Sequence, residues 1–73
     1  MPNRSEPQLL AESRKAAGLK QRELADHLGI AASYMSDLEN GRRPVPQHLL
    51  TRLPDAIRVP LVRARIAELE KLL

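Results

Sequence analysis

The chain has 73 residues, no cysteine and a formal net charge of +3, from 12 Lys and Arg against 9 Asp and Glu. This length allows one small domain, residues 1–73, and the lack of cysteine excludes disulfides and thiolate metal sites, so stability comes from packing. Tyr34 is the single aromatic residue, which excludes a base-stacking platform for single-stranded nucleic acid and favours duplex DNA as the partner of the basic surplus.

The apolar residues are nearly all Leu, Ala, Ile and Val, which suits helices better than strands. No apolar run is long enough to cross a bilayer, and the N-terminus lacks the layout of a signal peptide. We therefore expect an all-α protein that is soluble and cytoplasmic, associated with the nucleoid if it binds DNA.

The first predicted helix begins at Ser5. Gln8 lies three residues further on as the reciprocal member of a capping box, and Pro7 fits the first turn. Gly18 is expected to end the helix.

The inner face of this helix is predicted to carry Leu10, Arg14 and Ala17. A buried arginine needs a carboxylate partner, because an unpaired buried charge costs several kcal/mol. The alternative for Arg14 is an ordinary surface position.

The second predicted helix runs from about Gln21 to Leu28, after Leu19 has turned inward. Its core face consists of Leu24, Ala25 and Leu28. Gly29 is expected to end it, since glycine adopts the left-handed conformation of a sharp turn without a side-chain penalty. Ile30 would then fill the angle between two helices.

The third predicted helix, about Ala32 to Glu39, separates into two faces on a wheel of 3.6 residues per turn. The inward face consists of Ala31, Met35 and Leu38. The outward face consists of Ser33, Ser36, Asp37 and Asn40. Short polar side chains of this kind let a helix backbone approach base edges closely.

Beyond this helix, Asn40 and Gly41 form its end, and a fourth predicted helix opens after the segment 44–46. Its apolar residues are Leu49, Leu50 and Leu53. Pro54 and Pro60 are expected to divide the C-terminal part of the chain into a short turn at residues 55–58, holding Ile57 against the core, and a last helix over about residues 60–73.

Residues 20–40 therefore predict two short amphipathic helices hinged at Gly29, the layout of a DNA-reading helix-turn-helix. The segments that carry this pattern read GLKQRELA at 18–25, LGI at 28–30 and SYMSDLENGRRP at 33–44. Together they resemble the Cro and lambda-repressor-like family, which includes regulators of the xenobiotic-response-element type. The resemblance covers roughly residues 9–57 and rests on several linked features at fixed spacing.

The resemblance implies a compact five-helix domain and a homodimeric transcription regulator of bacteria or phages, with a repressor favoured over an activator. It also implies a partner for Arg14, because related domains pair an arginine at this place with a glutamate at the place of Glu39. The alternative is two unrelated surface charges.

The family pattern further implies that Gln21 contacts a phosphate at the start of the second helix, flanked by Lys20 and Arg22. Contacts to the phosphate backbone at the other end of the unit are expected from Asn40, Arg42 and Arg43. The alternatives are solvated charges and an ordinary helix-terminal Asn.

Base reading is assigned to Ala32, Ser33, Ser36 and Asp37, in the first turns of the third helix. Asp37 has two open roles, because its carboxylate could accept from a cytosine amino group or tether Arg42 or Arg43. Tyr34 lies on the flank of the helix, where its ring is expected to pack on a neighbouring helix while its hydroxyl reaches a phosphate. The alternative is packing alone.

Lys20 and Ala31 occupy positions where relatives commonly have a capping Ser or Thr, and the loss of such a cap costs about 1 kcal/mol. Contact with a phosphate could compensate at Lys20. For Ala31 the sequence suggests no compensation.

The last helix carries an apolar stripe that we assign to a dimer interface. It consists of Val62, Ile66, Leu69 and Leu73, with Leu61 and Leu72 beside them. A homodimer would place two recognition helices about one DNA turn apart, ~34 Å, on a palindromic operator. The alternative is that all six residues complete the monomer's core.

A different class of function remains open, namely an antitoxin-like or adaptor protein whose C-terminal helix binds another protein. An enzyme is not expected, because His27 and His48 lack a partnered carboxylate or serine and no phosphate-binding loop or metal-ligand spacing occurs. We expect no cofactor, metal or small-molecule ligand.

Overall fold

A computed structural model of the chain describes residues 6–73. Within this range the backbone forms five α-helices and no strand, which confirms the all-α, five-helix expectation. The helices are α1 (Glu6–Ala16), α2 (Gln21–Leu28), α3 (Ala32–Glu39), α4 (Gln47–Leu50) and α5 (Asp55–Glu70). The expected cap at Ser5 lies outside the described residues.

The helices enclose one core, with α1 packed against α3 and α5, and α2 against α3. Every helix contributes to it, and the apolar residues that are at least nine-tenths buried are Leu10, Leu24, Ala25, Leu28, Met35, Leu38, Val45, Leu49, Leu50, Leu53, Ile57 and Leu61. The predicted core faces of the second and fourth helices are confirmed. None of the helices within residues 6–73 has the length and apolar character needed to span a bilayer.

Two alanines that were predicted to face inward are exposed. Ala17 follows the end of α1 and lies in the turn that leads to Gly18, whose φ is +76°. Ala31 precedes α3 in an extended conformation, with φ −68° and ψ 148°. A helical wheel does not apply to either residue, so both predictions were wrong for the same reason.

The predicted break at Pro60 is also wrong, because α5 runs through it without interruption. Proline cannot donate to the carbonyl of Ala56 and crowds it, at a cost of about 3 kcal/mol. Ile57 and Leu61, four residues apart, are both fully buried. Burial of two such side chains contributes about 3–6 kcal/mol, so the core holds the helix together across the proline.

The turn between α2 and α3 has the geometry that a glycine end-cap provides. Gly29 has φ +70° and ψ +32°, and its N–H donates to the Asp26 carbonyl at 3.1 Å. The N–H of Ile30 donates to the Ala25 carbonyl at 3.0 Å, and Ile30 packs partly buried against the core. This left-handed residue fixes the angle between the two helices.

Gly29→Ala is expected to destabilise the domain by about 1 kcal/mol, lowering Tm by roughly 4–8 °C. A Cβ at this position would meet nothing within 4 Å, so the cost comes from the backbone conformation alone. Thermal unfolding measures it, with Gly29→Asn as the control, because asparagine tolerates the left-handed region better. A Gly29→Ala protein that melts with the wild type would contradict this explanation.

Arg65 joins α5 to two other parts of the fold, a contact that no pattern in the sequence predicts. Its Nε and Nη2 donate to the two carboxylate oxygens of Glu6 at 2.8 Å, and Nη2 also donates to the Val45 carbonyl at 2.8 Å. The hydrogen bond with Glu6, aided by its charge, raises the pKa of Arg65 against the opposing effect of burial. The pair thus fixes the start of α1 against the middle of α5.

Candidate nucleic-acid interface

The exposed face of α3 is short and polar. Met35 and Leu38 are buried, whereas Ala32 and Ser33 are exposed and Ser36 and Asp37 are half-buried. Since both core residues point away from this face, the helix stays anchored while its first two turns remain accessible.

Cationic side chains lie at the start of α2. Lys20 and Arg22 are exposed. The Lys20 backbone N–H donates to Glu23 Oε1 at 2.8 Å, which forms one half of a capping box. The Lys20 side chain has only donors and cannot supply the other half, so it remains available for an anion.

Gln21, the expected phosphate ligand, has a partner within the protein. Its Nε2 donates to Glu39 Oε1 at 3.2 Å, which ties the start of α2 to the end of α3. One amide hydrogen is used in this bond and a second remains. This contact was not predicted, because nothing in the spacing of 18 residues indicates it.

Glu39 also holds Arg14. The guanidinium donates from Nε to Oε2 at 2.7 Å and from Nη2 to Oε1 at 3.1 Å, and its Nη1 donates to the Leu19 carbonyl at 2.8 Å. The Arg14 and Glu39 side chains are 10% and 6% exposed. The expected pair is therefore present, nearly buried and bidentate, and it fastens α1 to the end of α3.

Asp37 binds both arginines that follow α3. Its Oδ1 lies 3.5 Å from Arg42 Nη1, and its Oδ2 lies 3.4 Å from Arg43 Nε. The Arg43 guanidinium also lies 5.4 Å from the centre of the Tyr34 ring, a cation–π distance. Tyr34 itself packs partly buried against the core.

Asn40 contacts another residue of the candidate site. Its Nδ2 donates to Ser36 Oγ at 3.1 Å. The Ser36 hydroxyl hydrogen is therefore left to donate elsewhere. The structure thus links Ser36 and Asp37, which were predicted to read bases, with Asn40, Arg42 and Arg43, which were predicted to bind phosphates, at the end of α3 and in the following loop.

This arrangement agrees with two comparisons with known proteins. Residues 8–69 match the family described as a helix-turn-helix domain. The chain belongs to the helix-turn-helix family, and its type is that of Cro and lambda repressor. This helix-turn-helix protein is also 36% identical over 62 residues to the ImmF control region 10 kDa protein of Bacillus phage phi105, an alignment that covers 85% of this chain and 69% of that protein. No solved structure matches.

Family membership confirms the resemblance seen in the sequence and identifies this helix-turn-helix protein as a DNA-binding transcription regulator.

Both histidines are exposed on separate helices, His27 in α2 and His48 in α4. Within residues 6–73, no group of three His, Cys, Asp or Glu side chains could hold a metal ion.

The apolar stripe on α5 of the helix-turn-helix protein divides into two parts. Leu61 is fully buried and Val62 packs partly against the core. Leu61 was therefore wrongly assigned to the dimer interface, since it faces α5's own packing partners. Exposure rises towards the C-terminus, with 51% at Ile66 and 63% at Leu69 in α5, then 80% at Leu72 and full exposure at Leu73. Leu72 and Leu73 lie beyond Glu70, where α5 ends, so the predicted helix over residues 60–73 extended three residues too far. The alternative that all six residues complete the core is thus wrong as well.

Proposed function

We propose that this protein binds double-stranded DNA sequence-specifically as a homodimer and represses transcription, acting in the cytoplasm on the nucleoid. The observation that carries the proposal is the exposed, short polar face of α3, held between cationic side chains at the start of α2 and in the loop after α3. An α-helix fits the major groove, and cations at both of its borders match the two phosphate backbones.

In this proposal the phosphate contacts fix the register of the protein on the duplex. They come from Lys20, Gln21, Arg22, Asn40, Arg42 and Arg43, with the Tyr34 hydroxyl as a further donor. Gln21 donates one amide hydrogen to Glu39, and its remaining amide hydrogen and the N-terminal N–H groups of α2 are the donors proposed for one phosphate.

Base contacts fall to the first two turns of α3. Ala32 contacts a thymine methyl group, and the hydroxyls of Ser33 and Ser36 donate to or accept from base edges. Asp37 lies on the same face of α3 and pairs with Arg42 and Arg43. The absence of a capping oxygen at Ala31 leaves the first N–H groups of α3 free to meet a phosphate, which compensates for the missing cap.

Selection of bound duplexes from a random pool tests this function. Sequence-specific binding by a homodimer enriches two inverted half-sites whose centres lie about 10 base pairs apart. If no sequence is enriched and the chain stays monomeric, the proposal is overturned in favour of an adaptor or antitoxin-like protein whose C-terminal helix binds a different partner.

Leu69→Glu is expected to abolish dimerisation and to weaken binding to a two-half-site duplex at least about hundredfold, because the second half-site no longer contributes. Leu69 belongs to the exposed apolar stripe with Ile66, Leu72 and Leu73. Analytical ultracentrifugation and binding titrations measure the two effects. The control is Ala67→Glu, an exposed position on another side of α5. A Leu69→Glu protein that remains dimeric would contradict this interface.

A further inference from the structure

The loop after α3 folds back onto the helix and concentrates charge around one carboxylate. Gly41 has φ +77°, which reverses the chain. The backbone N–H groups of Arg42 and Arg43 then donate to the Asp37 carbonyl at 2.9 and 3.4 Å. The turn therefore brings both guanidinium groups beside the Asp37 side chain, where the ion pairs of 3.5 and 3.4 Å form.

These ion pairs are exposed and loose. The side chains of Arg42 and Arg43 are 70% and 60% exposed, and that of Asp37 is 28% exposed. Exposed pairs of this kind contribute little to stability, under about 1 kcal/mol each. A phosphate can therefore replace the carboxylate at either guanidinium with little loss to the fold. Together the three groups carry a net charge of +1, whereas the two arginines alone would carry +2.

We propose that Asp37 is an internal counter-ion for the phosphate-binding arginines: in the free protein its carboxylate occupies the place that a DNA phosphate takes in the complex, and this lowers the affinity for duplex DNA of any sequence. The proposal rests on the proposed function. It makes Asp37 a positioning residue that acts through Arg42 and Arg43 rather than a reader of cytosine.

Geometry favours this role over base reading. Each carboxylate oxygen already faces a cation, and a carboxylate turned to the groove would leave both cations and approach the phosphates. The stacking of Arg43 on Tyr34 at 5.4 Å keeps one guanidinium beside α3 when the carboxylate is displaced. Asp37 thus reduces attraction to DNA without dispersing the groups that bind it.

The test is the affinity of Asp37→Asn for a mixed-sequence duplex, measured by fluorescence anisotropy across a range of salt concentrations. Removing the carboxylate should tighten binding about fivefold near 50 mM salt and less than about twofold near 200 mM, because the slope of log K against log salt steepens by about one. Asp37→Glu keeps the charge, so its slope of log K against log salt should not steepen.

Asp55→Asn is the matched control, since Asp55 forms an exposed ion pair with Arg58 on α5 and undergoes the same change of charge. It should leave affinity and salt slope unchanged. Thermal unfolding of each variant verifies that the fold is retained.

Two results would overturn the role of Asp37 while DNA binding itself stands. One is an Asp37→Asn protein that binds mixed-sequence DNA no more tightly than the wild type. The other is an Asp37→Asn protein that, in selection from a random pool, loses the wild-type preference at one base pair, because that loss identifies a base contact by Asp37. A wild-type chain that binds no duplex at all would instead overturn the proposed function.

Discussion

Arg14→Ala is expected to destabilise the domain by about 3 kcal/mol or more, which is the larger part of the free energy of unfolding of a domain of this size. The substitution leaves the Glu39 carboxylate nearly buried and without its bidentate partner, and it removes the donor to the Leu19 carbonyl. In a domain of about 70 residues this corresponds to a Tm lowered by roughly 12–24 °C.

Glu39→Ala should destabilise the domain to a similar extent, because it leaves the guanidinium unpaired. Arg14→Lys should fall between the wild type and Arg14→Ala, since an ammonium keeps the charge but loses the fork that matches a carboxylate. Chemical and thermal unfolding measure all three variants.

Arg58→Ala is the control for this series. It removes an arginine from the exposed ion pair with Asp55, and a pair of that kind contributes less than about 1 kcal/mol. If Arg14→Ala is as silent as Arg58→Ala, then Arg14 and Glu39 are two independent surface charges and α1 is not fastened to α3 through them.

Ser33→Glu is expected to weaken binding to duplex DNA at least about hundredfold without loss of the fold. Ser33 is exposed in the first turn of α3, and a carboxylate there would be carried into the groove between two rows of phosphates. Like-charge contact in an interface costs several kcal/mol. The same carboxylate interacts favourably with the N-terminus of an isolated helix, so Tm should not fall.

Ala56→Glu provides the matched control. It introduces the same side chain at an exposed position in the first turn of another helix, α5, outside the proposed interface. Equal losses of affinity for the two variants would show a general effect of net charge, and α3 would then have no special part in DNA binding.

The helix-turn-helix unit could be predicted from the sequence because its signals are local. The apolar spacing of α2 and the glycine at position 29 lie within a few residues of each other, and together they predict the two helices and the turn. Wheel reasoning failed where a residue lies just outside its helix, as at Ala17 and Ala31. Pro60 was taken as a break because its cost is local, whereas the burial of Ile57 and Leu61 that outweighs it depends on the rest of the fold.

Contacts between residues that are far apart in the sequence could not be predicted from local patterns. The bond from Arg65 to Glu6 spans 59 positions, and nothing in the sequence around either residue distinguishes it from charges that remain exposed. Arg14 and Glu39 are 25 positions apart, and their pairing was expected only through the family resemblance. In the last helix, periodicity grouped the apolar residues but did not say which of them the monomer's own core covers, as it covers Leu61.

Whether α3 presents its polar face to duplex DNA can be decided by titrating isotope-labelled protein with the selected duplex and following the backbone amides by NMR. The largest amide shifts should occur at residues 20–22, 32–37 and 40–43, while the middle of α5 around Leu61 stays unchanged. Shifts confined to α5, or none in the first two turns of α3 at saturating DNA, would contradict DNA binding through this face.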